Sequence, residues 1–503
     1  MEMDEKKIGS EQEQSISSYE AGQSDNAKLG FINTIASKLK AETKGIELVT
    51  DEEKVGDSLW NAASMWLSAN MVIATYSLGA LGVTVFGLSF WTSVLTIIFF
   101  NMLGVISVGF FSIFGARLGL RQILLSKFLV GNWTMRIFAL INAIACVGWG
   151  AVNIMSSAQL ISIVNNQACP PWVACLILVI LTILVTFFGY HVIHVYEKWA
   201  WIPNVAIFIA IIARMKIAGT FTAGEFVSGT TTAAGVLSFG GTVFGYATGW
   251  TTLASDYTVY QPRNINSLKI FFSVYAGLLT PCIFAMILGA ACATGTLTNE
   301  RWAELYHEYS IGGLVYAVLV EDSLGKFGEF LCVLLALSTV SNNIPNMYSI
   351  GLSTQAIWSG LIKIPRVAWT IIGNFVTLAI CIPAYYHFVE VVDQFMTMIG
   401  YYLAIYEAIA FSEHFFYNKG KFSAYDYENH KDPKSHPIGY AGTVSFFAGV
   451  AGAVLGMSKQ WFTGPLAKLI GPFGADIGFE LSFAFTFVVF NALRPLEKKY
   501  VGR

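Results

Sequence analysis

Apolar stretches of about 18–25 residues recur from Leu59 to Leu493, each long enough to cross the hydrocarbon core of a bilayer. A chain punctuated this way reads as an all-α polytopic membrane protein rather than a string of soluble domains. Composition agrees. Hydrophobic residues make up 55% and charged residues only 12%, with a mean hydropathy of +0.59; the charged share is about half that of a soluble domain. The net charge of −2 offers no basic face for nucleic acid, so the partners expected are membrane lipids and a small molecule. The seven cysteines stand singly, mostly in apolar runs, without zinc or redox spacing; a Cys169–Cys175 bridge is the weaker reading beside that of small apolar residues.

The hydropathy pattern predicts about twelve spans, near 60–86, 90–114, 134–164, 172–190, 199–218, 234–254, 269–293, 328–357, 367–386, 390–413, 437–457 and 474–495. Residues 1–57 are polar and read as a mostly disordered cytoplasmic tail; 58–413 form a core of about ten helices. A cytoplasmic loop (414–436), two further spans (437–495) and a short cytoplasmic C-terminus (496–503) follow. Arg117, Arg121, Lys127, Arg263, Lys269, Lys419, Lys421, Arg494 and Lys498 fall in alternate loops, which puts both termini inside; Arg214 and Lys216 are the exception. The sequon Asn132-Trp133-Thr134 then lies on the inner side and carries no glycan.

Polar groups within a membrane are costly and are functional candidates, with helix–helix contact as the plainer alternative. The third span carries Trp149 and Asn153, four apart and on one face. An indole is a flat plate for an aromatic ligand, and an amide one turn away offers both a donor and an acceptor. The eighth span reads STVSNNIPNMYS and crowds Asn342, Asn343 and Asn346 around Pro345. Proline frees a backbone carbonyl, a break tolerated where it lines a cavity, so one amide is expected to meet a ligand and another to brace the helix. The sixth span is rich in glycine (Gly235, Gly240, Gly241, Gly245, Gly249) and runs into Trp250; the first places Asn70, Thr75 and Ser77 ahead of Gly79 and Gly82. Thr75 and Ser77 are candidate hydroxyl donors, although a back-bond to the preceding turn is equally plausible for either.

Spans one to five and six to ten match as two halves by hydropathy. The glycine-interrupted helices one and six, and the polar helices three and eight, then hold equivalent positions. An odd number of spans reverses orientation, so the pattern predicts a 5+5 inverted repeat with broken first and sixth helices. Among acidic groups, Glu197 sits in HVIHVYEKWAWIPN and is a candidate proton carrier, with a surface ion pair as the alternative. Asp256 closes span six as a cap or gate, and Glu407 is an intramembrane carboxyl with no evident role. No metal site and no organic cofactor is indicated.

The segments NMVIATYSLGALG, CVGWGAVN, YEKWAWIPN, GWTTLASDYTVY, LALSTVSNNIPNMYS and GYYLAIYEAIAFSEHFF, in that order, resemble the fungal purine-cytosine permeases of the nucleobase–cation symporter family, which have the leucine-transporter fold. The resemblance covers about residues 45–503. It implies proton-coupled uptake of adenine, guanine, hypoxanthine and cytosine across the plasma membrane. It places substrate contacts on Trp149, Asn153, Trp250, Asn342, Asn343 and Asn346, with Pro345 shaping the helix. Thr75 occupies the place of a family serine, and Glu197 that of a glutamate tied to function. In such permeases tail lysines are often ubiquitin sites, which makes Lys6, Lys7 and Lys28 candidates for a ubiquitin ligase. Rival readings are the same fold with pyridoxine, uracil or allantoin as cargo, and a nutrient-sensing receptor. Enzyme signatures such as HExxH or a nucleotide-binding loop are missing from the sequence.

Overall fold

The computed structural model describes residues 48–54, 58–187 and 198–502. Glu197, His191, His194 and the tail lysines Lys6, Lys7 and Lys28 lie outside them. The helices are α1 (Leu59–Asn70), α2 (Ile73–Thr84), α3 (Phe90–Leu118), α4 (Gln122–Val130), α5 (Asn132–Gln167), α6 (Pro171–Phe187), α7 (Trp201–Ala218) and α8 (Thr230–Thr248). They continue with α9 (Ser267–Thr298), α10 (Glu300–Leu319), α11 (Lys326–Ala336), α12 (Ser338–Ile357), α13 (Arg366–Ala384), α14 (Phe388–Ser412), α15 (Tyr440–Gly456) and α16 (Gly478–Val501). A two-stranded hairpin, Ser458–Lys459 with Phe462–Thr463, joins α15 to α16.

Each expected apolar segment contains helix among the described residues. Among the described residues, seven helical stretches are long and apolar enough to cross a bilayer; α1 and α2, bent by 56°, make an eighth, and Pro171–Val185 and Tyr440–Gly456 are shorter apolar helices. The protein is therefore a multi-pass helical membrane protein. Its helices fall into two groups. In one, α9 packs on α1, α2 and α3, and α8 packs on α3 and α14; in the other, α5 packs on α12, α11 and α13, and α6 on α12 and α13. The last two helices pack on each other, and α16 also lies along α14.

Three expectations need correction. The first span does break, but at Met71 and Val72 (φ −137°, ψ 164°), not at its glycines. Gly79 and Gly82 lie inside regular helix α2, and a Cβ at Gly79 would collide with the backbone of Met286 on α9. Likewise the central glycines of span six stay helical, and the irregular part is the 3-10 turn Gly249–Leu253 beyond them. In both spans glycine serves close helix approach, which small residues permit in membranes. Finally, the segment left between the expected spans 269–293 and 328–357 is not a mere connection. It forms α10, capped by Asn299 Oδ1 accepting from Trp302 N (3.2 Å) and kinked at Ser310, whose φ is +51°.

Candidate functional site

The break in span one leaves backbone groups without helical partners, and α12 supplies them. Asn342 Nδ2 donates to Ala69 O (2.5 Å), Ser341 Oγ donates to Ser68 O (3.2 Å), and Ser338 Oγ accepts from Ile73 N (3.3 Å). Buried backbone groups must find partners, so the hydroxyl- and amide-rich turn of α12 and the unwound turn between α1 and α2 form one unit. Pro345 stands inside α12 and removes a helical hydrogen bond there.

The third span's Asn153 faces the same turn. Its Nδ2 donates to Asn342 Oδ1 (2.5 Å) and Asn343 Oδ1 (2.9 Å), while Thr339 Oγ1 donates to its carbonyl (2.8 Å). Asn346 Nδ2 reaches Asn342 O (3.1 Å). All four amides are buried, yet Asn153 Oδ1 and Asn343 Nδ2 have no hydrogen-bond partner. One acceptor and one donor, on two amides already bonded to each other, are therefore open. Leaving buried polar atoms unpaired costs about 1–3 kcal/mol apiece, which a ligand edge carrying one donor and one acceptor would recover.

Beside these amides the indoles of Trp149 and Trp250 lie nearly parallel, at 19°, with ring centroids 6.2 Å apart. Two van der Waals contacts to an inserted ring need about 7 Å, so the plates must part by at least about 1 Å to admit a flat ring between them. Trp250 is fixed by Nε1 donating to Asn70 Oδ1 (2.9 Å), and Trp149 meets Tyr246 edge-on at 5.5 Å. A Cβ added at Gly249 would strike the six-membered ring of Trp149. Thr75 Oγ1 and Tyr246 OH share a hydrogen bond of 2.5 Å, whereas Ser77 Oγ back-bonds to Ala74 O (2.7 Å). The site thus gathers Thr75, Trp149, Asn153, Trp250, Asn342, Asn343 and Asn346 from α2, α5, α12 and the turn after α8.

Asp256 lies elsewhere. Its Oδ1 accepts from Gln122 N (2.7 Å), the first turn of α4, and Arg121 Nη1 donates to its carbonyl oxygen (2.7 Å), so it pins α4 to the end of span six. On that same face Arg263 pairs with Asp51, and Val49 N donates to Gly119 O (2.9 Å). The opposite face opens into a cavity of about 830 Å³ lined by Thr84, Gln159, Ser162, Tyr306, Tyr385 and Phe388, among others.

Residues 48–476 match the family described as permease for cytosine/purines, uracil, thiamine, allantoin. The chain belongs to that family. This permease is 56% identical to the purine-cytosine permease FCY2 of Saccharomyces cerevisiae, over 96% of this chain and 91% of the relative. It is 44% identical to the purine-cytosine permease fcyB of Emericella nidulans, over 94% and 92% of the two chains. Among solved structures it is similar to the nucleobase-cation-symport-1 transporter Mhp1, in a closed conformation with bromovinylhydantoin bound (TM-score 0.67, 14% identity, 92% of this chain and 96% of that one). At that identity the likeness establishes the permease's fold.

Sequence reasoning missed Tyr246, Ser338 and Ser341. Tyr246 lies four residues before Trp250, a spacing that could have marked it. The two serines belong to the STVSNN run, but what they bind is a backbone more than 260 residues away in the chain.

Proposed function

We propose that this permease carries purine bases and cytosine (adenine, guanine, hypoxanthine, cytosine) into the cell together with protons, by alternating access across the plasma membrane. The observation that carries this reading is the open pair Asn153 Oδ1 and Asn343 Nδ2 beside two parallel indoles. Nucleobases are flat and present adjacent donors and acceptors on one edge, so they suit both features. In this reading Trp149 and Trp250 stack on the base, while Asn153, Asn343 and Asn346 read its edge. Asn342 and Pro345 hold the turn, and Thr75 supports the site through Tyr246. The names of the relatives above support the cargo.

Twelve crossings with both termini cytoplasmic fit the basic residues on alternate sides. The helix pairing supports an inverted repeat: exchanging span one with six, two with seven, three with eight and four with nine turns the contact of α2 with α9 into that of α8 with α3. The 830 Å³ cavity then faces outward, and the Asp51–Arg263 side closes the cytoplasmic end. No organic cofactor is invoked; the coupling ion is the proton.

The test is uptake of labelled cytosine by cells lacking their own permeases, with adenine, pyridoxine and uracil as competitors and a protonophore control. Adenine is expected to compete and the protonophore to abolish accumulation. Asn153→Ala should lose uptake despite normal delivery to the membrane. Competition by pyridoxine or uracil alone, or full uptake by Asn153→Ala, would overturn the assignment.

A further inference from the structure

Glu407 lies in the C-terminal third of α14 and is buried, with 6% of its surface exposed. Its partners are hydroxyls. Thr248 Oγ1 donates to Glu407 Oε1, Ser107 Oγ bonds Thr251 Oγ1 (2.6 Å) and Thr248 Oγ1 (3.1 Å), and Thr248 bonds Thr251 (3.2 Å). Among the described residues no cation pairs with it. The charged groups on surrounding helices are at the ends or engaged. Arg494 is bonded to Glu413 (2.7 Å) and Glu497 (3.2 Å), and Arg117 holds the carbonyls of Arg263 and Ile265. Lys127 and Arg136 lie at the terminal face, as does His414, bonded to Tyr425 (2.8 Å). Asp393, Glu390, His387 and Glu480 lie at the opposite end, with Asp393 bonded to Thr242 (2.8 Å). Neighbouring Tyr406 accepts from Gln122 Nε2 (2.9 Å) and shares a hydrogen bond with Ser126 (2.9 Å); α8, α15 and the turn Gly249–Leu253 contribute no charged residue.

A bare carboxylate in a membrane interior without a cation is expensive, and a proton removes the charge. The hydroxyl cluster joins three elements: Ser107 on α3, Thr248 and Thr251 at the irregular end of span six, and Glu407 on α14. Thr248 is two residues from Trp250, so parting the indole plates moves the hydroxyl that bonds the carboxyl. We propose that Glu407 is the proton-carrying group of this permease. One Glu407 oxygen takes up a proton from the outward-facing side, forming an O–H bond as the base binds. That bond breaks on the inward-facing side, the proton leaves to the cytoplasm, and the carboxylate is restored. This deepens the transport reading above and rests on it.

The experiment measures proton entry per labelled cytosine in vesicles holding the full chain, with cytosine exchange in the absence of a pH gradient as a second readout. Wild type is expected to bring in protons with cytosine. In Glu407→Gln, proton entry should fall to the transporter-free baseline and accumulation should no longer respond to external pH, while Glu407→Asp restores both in part. Proton entry per cytosine equal to wild type in Glu407→Gln would overturn the proposal, as would a requirement for sodium in place of protons. Should Glu407→Gln fail to exchange cytosine at all, Thr248→Val decides: a displaced pH for half-maximal uptake supports the assignment, and an unchanged one overturns it. Failure of wild-type protein to take up cytosine would instead defeat the cargo reading.

Discussion

Asn342 and Asn343 are adjacent in the chain and alike in chemistry, yet their surroundings assign them opposite tasks. Asn342 has both polar ends engaged: Nδ2 on Ala69 O, Oδ1 accepting from Asn153. Asn343 keeps its Nδ2 unbonded. Asn342→Ala should therefore strand a buried carbonyl and an amide, at about 1–3 kcal/mol each, and lower the unfolding temperature in detergent even without ligand. Asn343→Ala should leave that temperature close to wild type while weakening cytosine binding roughly tenfold or more, the equivalent of about 1–3 kcal/mol. The reverse pattern would show the roles are exchanged. The crowding of amides around Pro345 was legible in the sequence because three carboxamides in one membrane turn demand an explanation. Their division of labour was not, because it is decided by Ala69, 273 positions away.

Among the elements, apolar length was the readable signal, since a bilayer imposes it on every span. Irregularity was harder to read. Glycine marks a turn in one setting and a close approach in another, and neither Met71 nor Val72 carries a local sign that a helix stops there. The hydroxyls that make the break affordable come from α12, so only the packed structure reveals it. The same ambiguity yields a test within α8. A Cβ on Gly245 would run into the backbone of Met396 on α14, which cannot step aside, whereas one on Gly241 would make an ordinary contact of 3.7 Å with Thr397. Gly245→Ala is expected to cost about 1–3 kcal/mol through overpacking and to reduce the amount of folded protein recovered, by fluorescence-detected size exclusion. Gly241→Ala should match wild type. Equal behaviour of the two would mean that α8 and α14 are not in close contact.

Taken whole, the described residues place the Asp51–Arg263 pair at one face and the cavity of about 830 Å³ at the other, and one group outside the spans reports on each face. At the Asp51–Arg263 face, Lys54 Nζ donates to Ala116 O (2.6 Å); burial and then the nearby Arg263 charge bring its pKa down to about 8, against Asp51 acting the other way. An undocked segment would hold its lysine proton up to about 10.5. Between those values the undocked state binds more protons than the docked one, so docking strengthens as pH rises through that window. Amide exchange at Val49, corrected for the intrinsic rate, should slow across it; protection that falls instead would contradict the sign. At the cavity face, Cys169 is half-buried, while the other six cysteines are buried. Burial, then Cys175, raises the Cys169 pKa above the ordinary thiol value. The thiolate is the reactive form, so a membrane-impermeant maleimide should modify Cys169 of intact cells slowly at neutral pH and faster as the medium becomes alkaline. Cys169→Ser should abolish the signal, since the other six cysteines are buried. Labelling that appears only after permeabilisation would put the cavity face inside the cell, reversing the orientation on which the direction of transport depends.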